Sequence, residues 1–142
     1  MATFKRFEDI EGWQRARELT KEVYRKSKIG PLARDYGLRD QMRRASVSVM
    51  SNIAEGFERG GTKEFVHFLS IAKGSLGELE AQLYVARDQG YINDSEFLSL
   101  KGMAKSTKFK IGGLIGYVRQ SGLKGTKYKT AVPRREQPTG EL

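Results

Sequence analysis

LRDQMRRASVSVMSNIAEG, residues 38–56, decides the fold. Its apolar positions Leu38, Met42, Ala45 and Val49 recur three or four residues apart, which lays them along one face of an α-helix. With Leu38 at zero and about 100° per residue, Ile53 falls at about 60° and Gly56 at about 0°, so the line runs to the end of the stretch. Ser48, Asn52 and Glu55 form a polar strip beside it, with Asn52 at about 320°. A hydroxyl, an amide and a carboxylate in that place need partners, because each unpaired buried group costs roughly 1–3 kcal/mol.

Working outward, the same period appears three more times. A first helix is predicted over about Glu8 to Lys28, with Ile10, Trp13, Ala16 and Arg17, Thr20, Val23 and Tyr24, and Ser27 along one side. Acids open it and bases close it, which suits the helix dipole. Gly30-Pro31 stops it, and Leu32 to Gly37 reads as a loop. The second helix spans Leu38 to Glu58 and ends at Gly60-Gly61, with Thr62 as the expected cap of the third. Phe65, Leu69, Ala72, Leu76, Leu79, Leu83 and Ala86 form a seam of alternating three- and four-residue steps along that third helix. Val66, Ile71, Tyr84 and Val85 lie outside the seam, which hints at a second partner, and Gly74 and Gly77 suit the close approach of another helix. Asn93-Asp94-Ser95-Glu96 reads as a capping box for the fourth helix, whose buried face is Phe97, Leu100, Ala104, Thr107, Ile111, Leu114 and Val118. Four amphipathic helices with short connections predict an all-α, up-down-up-down four-helix bundle over residues 1–120. Glycine, proline and scattered charge then predict a flexible basic tail over 121–142.

The chain of 142 residues suits one core, and no internal repeat divides it. It has no cysteine, which excludes disulfides and thiolate metal sites and makes the cytoplasm the expected compartment. Met-Ala-Thr-Phe-Lys-Arg, followed at once by Glu8, Asp9 and Glu11, does not read as a secretory leader. The most apolar run, Ile111 to Val118, is far short of the roughly 20 residues a membrane span needs. The net charge of +9 is unevenly placed: ten of 26 Lys and Arg but two of 17 acids fall after residue 100. That concentration points to a polyanionic partner, because local charge sets the binding field.

Specific motifs then accumulate. Trp13 follows a short acidic lead, and Tyr36-Gly37-Leu38, Gln41-Met42-Arg43-Arg44-Ala45, Ser51-Asn52-Ile53-Ala54-Glu55-Gly56, Thr62-Lys63-Glu64-Phe65, Gly74-Ser75-Leu76-Gly77-Glu78-Leu79-Glu80 and Gly90-Tyr91-Ile92 come after it. Over roughly residues 5–120 the set resembles the bacterial four-helix-bundle family of 23S rRNA intervening-sequence proteins. Many members carry proline where this chain has Met50, so this helix is expected to be straighter. A distant relative, the accessory protein of diversity-generating retroelements, forms a basic pentameric barrel that binds reverse transcriptase and nucleic acid. The resemblance therefore implies a homo-oligomer, a pentamer before other states, with a surface facing nucleic acid and a reverse transcriptase or other protein as a further partner.

The residues best suited to that role are on the fourth helix. With Lys101 at zero, Lys105 lies at about 40°, Lys108 at about 340° and Arg119 at about 0°, which predicts one outward stripe of cations. Phosphates along a nucleic-acid backbone match such a stripe without base readout, in RNA or DNA alike. Lys124, Lys127, Lys129, Arg134 and Arg135 extend it into the tail, with Tyr128 between them as a stacking surface. The plainer reading is a solvated helix face and a solubilising tail. Lys110 sits at the other edge of the apolar arc, and Arg39, Arg43 and Arg44 form a weaker patch near Asp35, Asp40 and Glu58.

Other signals point away from catalysis. Ser48, Ser51, Asn52, Glu55 and Gly56 read as a structural polar strip and family motif that caps or bridges helices, with no nucleophile–base pair in view. A base role for Glu55 stays as a competing reading, and it requires a ligand pocket around Asn52. Glu64-Phe65-Val66-His67 has the spacing of di-iron bundles, but one histidine cannot complete such a site, so no metal is expected. Gly112-Gly113-Leu114-Ile115-Gly116 suits close helix contact or local bending. With no phosphate-binding loop, dinucleotide fingerprint or zinc pattern, no cofactor is expected either. The residues favour a non-enzymatic nucleic-acid-binding module, with a protein-binding scaffold as the alternative.

Overall fold

The computed structural model describes residues 4–121, so Lys124, Lys127, Lys129 and the rest of the expected tail lie outside the described residues. Every regular element among these residues is helical. A single 3-10 turn, Phe7–Asp9, precedes α1 (Glu11–Lys26), α2 (Gly30–Arg34), α3 (Tyr36–Arg59), α4 (Thr62–Asp88) and α5 (Asp94–Ser121).

The short α2 replaces the expected loop. Gly30 turns the chain with φ +67°, and Pro31 enters the first turn, where its missing N–H leaves no bond unmade. Leu32 is buried, and the Asp35 N–H reaches the carbonyls of Pro31 and Leu32, both at 3.1 Å. Asp35 then caps α3: its Oδ1 accepts from the Leu38 N–H at 3.2 Å. Its Oδ2 accepts from the Tyr91 hydroxyl at 3.0 Å, which ties the α4–α5 connection to the same corner. At the other end of α3, Gly60 is left-handed with φ 94°. Gly61, not Thr62, is the capping residue of α4, and the Glu64 carboxylate fills the space a Cβ on Gly61 would need.

The four long helices each pack on two neighbours. Ser48 Oγ lies 2.8 Å from Ser75 Oγ between α3 and α4. Lys108 Nζ lies 3.3 Å from Glu80 between α5 and α4. Lys110 meets Glu11, and Lys26 meets Glu96, between α5 and α1. The Thr20 hydroxyl reaches the Ser46 carbonyl between α1 and α3. The whole α4 seam, Phe65 to Ala86, is buried, as is the predicted face of α5. The expected line of α1 is buried at Ile10, Ala16, Val23 and Ser27, but Gly12 and Leu19 face inward in place of Trp13 and Thr20. Trp13 sits at the rim against Phe7, with ring centroids 5.1 Å apart and the Arg17 guanidinium over it. Thr20 and Leu19 both fit helical spacing, and the larger apolar side chain takes the interior.

α3 meets α4 closely at Gly56. A Cβ there would stand 2.8 Å from Phe68 Cβ and 3.3 Å from Phe65 Cδ1. Gly12 does the same on α1, where a Cβ would lie 3.3 Å from Ile111 Cγ1. At Gly74, Gly77, Gly112, Gly113 and Gly116 a Cβ would meet nothing within 4 Å, so the close contacts expected at those glycines are not made among the described residues. Gly56→Ala is therefore expected to lower unfolding free energy by about 1–3 kcal/mol, overpacking outweighing the better helix propensity. Gly74→Ala, with open space around it, should instead raise stability by up to about 1 kcal/mol. Urea unfolding followed by helical signal checks both.

The capping box at α5 is present, with Asn93 N–H to Glu96 Oε1 and Glu96 N–H to Asn93 Oδ1 both at 2.8 Å. The Asn93 N–H first, and Lys26 second, hold the Glu96 carboxyl below its ordinary 4.5. A carboxyl whose folded value is depressed stabilises the fold above the unfolded value and loses that contribution as pH falls through the folded one. Glu96→Gln should lower stability at neutral pH and flatten the decline below about pH 4.5, read as the difference between the two unfolding curves across pH.

Candidate functional site

The α5 cations divide into two kinds. Lys105 and Arg119 are exposed, and no carboxylate among the described residues pairs with either. Lys101 and Lys108 do not point outward as the helical projection predicts. They lean over α4 toward Glu80, placing their ammonium groups 4.0 and 3.3 Å from the same oxygen. The Lys101 and Glu80 side chains are only 18% and 14% exposed. Long aliphatic stems explain this: they lie along the apolar valley between the helices while the charged head finds a counter-charge. Lys101 also sits over the Tyr84 ring at 5.3 Å. The second Glu80 oxygen is buried with no hydrogen-bond partner. One carboxylate thus holds two lysines and leaves one net positive charge there.

Lys110, on the opposite edge as expected, pairs with Glu11 at 3.2 Å. Arg15 first and Lys110 second hold the Glu11 carboxyl below its ordinary range. The weaker arginine patch is largely committed to structure. Arg39 pairs with Asp40 at 2.9 Å and donates to the Ala33 carbonyl. Arg43 donates to Ser27 Oγ at 2.8 Å and to the Ser27 carbonyl, with its guanidinium over Tyr24. Arg44 lines a shallow groove of about 490 Å³ with Tyr24, Asp40, Arg43, Val47 and Ser48.

The polar strip separates in the same way. Ser48 bridges to Ser75 across the helix pair, and the Asn52 amide turns back to the Ser48 carbonyl and hydroxyl at 2.8 and 3.0 Å. Glu55 does not lie against the core line; it is exposed and bound to Arg59 one turn on, at 2.8 Å. Ser51 is exposed, and Gly56 makes the close approach described above. No group of three or more His, Asp or Glu side chains able to hold a metal occurs among the described residues. No helix of the described residues is long and apolar enough to cross a membrane.

Three features were not found from sequence. Glu80 is the first, although its place beside Leu76, Leu79 and Leu83 on the α5 side of α4 carried the signal. The second is the exposed pair Leu98 and Phe109, 68% and 77% exposed, on the same side of α5 as Lys105. The third is a groove of about 620 Å³ where Arg119 meets Thr62, Lys63, Val66, His67 and Ser70 of α4.

A protein of unknown function from the S23 ribosomal protein family of Bacteroides thetaiotaomicron VPI-5482, solved by crystallography at 1.70 Å resolution, has a similar fold. The TM-score is 0.68 at 18% identity, covering 76% of this chain and 97% of that one, and at that identity the likeness concerns fold alone. No curated protein matches the chain. The family model for 23S rRNA-intervening sequence proteins matches residues 8–113, from the turn before α1 into the last turns of α5. On that match, the chain belongs to the 23S rRNA-intervening sequence protein family.

Proposed function

We propose that this protein is a non-enzymatic, oligomeric module of the cytoplasm, an up-down-up-down four-helix bundle that binds RNA or DNA through phosphate contacts without reading bases. The observation that carries the reading is the α5 cation row. Lys101, Lys105, Lys108 and Arg119 extend over about 27 Å of helix, at about 1.5 Å per residue, and Glu80 is the one carboxylate paired with any of them among the described residues. Lys124, Lys127 and Lys129 continue the basic sequence beyond the same helix. The name of the family makes structured RNA the first ligand to try. The family resemblance favours a homo-oligomer, with a pentamer first, and repetition of the row would add avidity.

Lys105 and Arg119, which no carboxylate among the described residues holds, should be the residues a phosphate uses most readily. Lys105→Glu with Arg119→Glu is expected to weaken binding to structured RNA at least about tenfold. On duplex DNA the double change should make the slope of log K against log salt shallower by about 2. The helical signal should be unchanged, and an unaltered affinity would refute the reading. Glu80→Gln should act in the opposite sense. It releases Lys101 and Lys108 from their shared carboxylate, so affinity should rise and the salt dependence steepen in the same titrations.

A second reading is a scaffold that docks a protein such as a reverse transcriptase or another ribonucleoprotein component. The exposed Leu98 and Phe109 beside Lys105 favour it, since large apolar groups in the open suit a protein contact. It predicts weak binding to naked nucleic acid, and binding to one protein that Phe109→Ser removes while Lys105→Glu only weakens it.

A further inference from the structure

The groove between the first turns of α4 and the last turn of α5 differs in charge from the other α5 groove. Lys63, His67 and Ser70 recur at i, i+4 and i+7, so they form one stripe along α4. Arg119 meets them from α5, and Thr62 and Val66 complete the lining. Every polar side chain here can donate a hydrogen bond, and three are basic. No carboxylate among the described residues lines the groove. Glu64, the acid nearest in sequence, is turned back against Gly61. Lys63, His67 and Arg119 have no ion-pair partner among the described residues. The groove of similar size between α1 and α5, about 630 Å³, holds Glu11 and Glu18 beside Arg15 and is net negative.

We infer that this groove is a binding site for one phosphate group of a nucleic-acid strand, gripped by Arg119, Lys63 and His67 with the Ser70 hydroxyl beside them. The inference rests on the nucleic-acid reading and deepens it, since it adds Lys63, His67 and Ser70 of α4 and a definite place of capture. Lys63 and Arg119 within one concavity repel each other, and an anion between them turns that repulsion into attraction on both sides. The division of labour fits the donors. The planar guanidinium can bond two phosphate oxygens at once, while the ammonium acts as a point charge that needs no fixed direction. No acid among the described residues lines the groove and competes with an entering anion.

His67 is the one histidine of the chain, so its ring resonances report on this groove alone. The experiment titrates the full chain, at low salt, with a single-stranded RNA carrying a 5′-phosphate, with the same RNA ending in a hydroxyl, and with inorganic phosphate. Affinity is measured in parallel for wild type, Lys63→Glu and Lys105→Glu. An acidic residue in the first turn of α4 suits the helix dipole, so Lys63→Glu should fold normally. The expected result is a saturable shift of the His67 resonances that Lys63→Glu abolishes, with RNA affinity lowered about tenfold in that variant. A shift that requires the 5′-phosphate identifies a strand end as the source, and equal shifts with both RNAs identify the backbone. If RNA binds wild type, Lys105→Glu weakens it, and Lys63→Glu neither weakens it nor alters His67, the groove inference is overturned while the nucleic-acid reading stands. If neither RNA binds but inorganic phosphate still shifts His67 in a Lys63-dependent way, the phosphate site stands and the nucleic-acid reading falls.

Discussion

The close approach of α3 to α4 at Gly56 is the constraint on which the rest depends. A hydrogen in place of a side chain lets the α3 backbone settle tightly against Phe65 and, at Phe68, closer than a Cβ would tolerate. The effect is local to the turn, because the chain reverses at Gly60 only four residues later. The Phe57 and Phe65 rings then meet edge to face at 6.0 Å, just inside the reversal. Further along the pair, the Ser48–Ser75 bond fixes which residues stand opposite one another. A glycine, a left-handed turn and one polar bridge thus set the spacing and register of the two longest-packed helices, and α1 and α5 close the core against them.

The electrostatic features follow from that register. Once the seam Phe65 to Ala86 faces the interior, Glu80 has to sit at the edge of α4 that borders α5. A carboxylate so little exposed would be costly alone, and two lysines of α5 are long enough to reach it. The same rotation puts Lys63, His67 and Ser70 on the opening between the two helix ends, where no acid is carried with them. Charge on this protein is organised by where the seam places acids, more than by where bases occur in the sequence.

That distinction explains what could be read from the sequence. The α4 seam, the α5 face and the Asn93–Glu96 capping box were legible because each depends on spacing within one helix. The place of Leu19 on α1 was less so, since Leu19 and Thr20 both satisfy the period and only competition for interior volume separates them. α2 was hidden because Gly30-Pro31 signals a stop and a start with equal force. The outward stripe failed at Lys101 and Lys108 for another reason: a projection gives the direction of Cβ, not of an ammonium four carbons further on. Glycines illustrate the limit most clearly. Gly56 and Gly74 look alike in the sequence, yet one is pressed against phenylalanine and the other stands in open space. Partners on other helices decide such cases, and single-helix patterns do not contain them.

On the proposed reading, the chain's own ion pairs also order its encounter with a polyanion. Most cations of α1 are matched one turn away: Arg15 with Glu11, Lys21 with Glu18, Arg25 with Glu22. Such surface pairs add little stability, but they cancel the field on that side. Lys101 and Lys108 occupy a middle position, because a phosphate there must compete with a carboxylate already in contact. Lys105, Arg119 and Lys63 have no such competitor among the described residues. A strand approaching α5 would therefore engage the unpaired cations first and recruit the Glu80-bound lysines afterwards, when enough phosphates are in place to outweigh one acid. Contact would begin at the Arg119 end and at Lys105, and Glu80 would set how far it spreads between them.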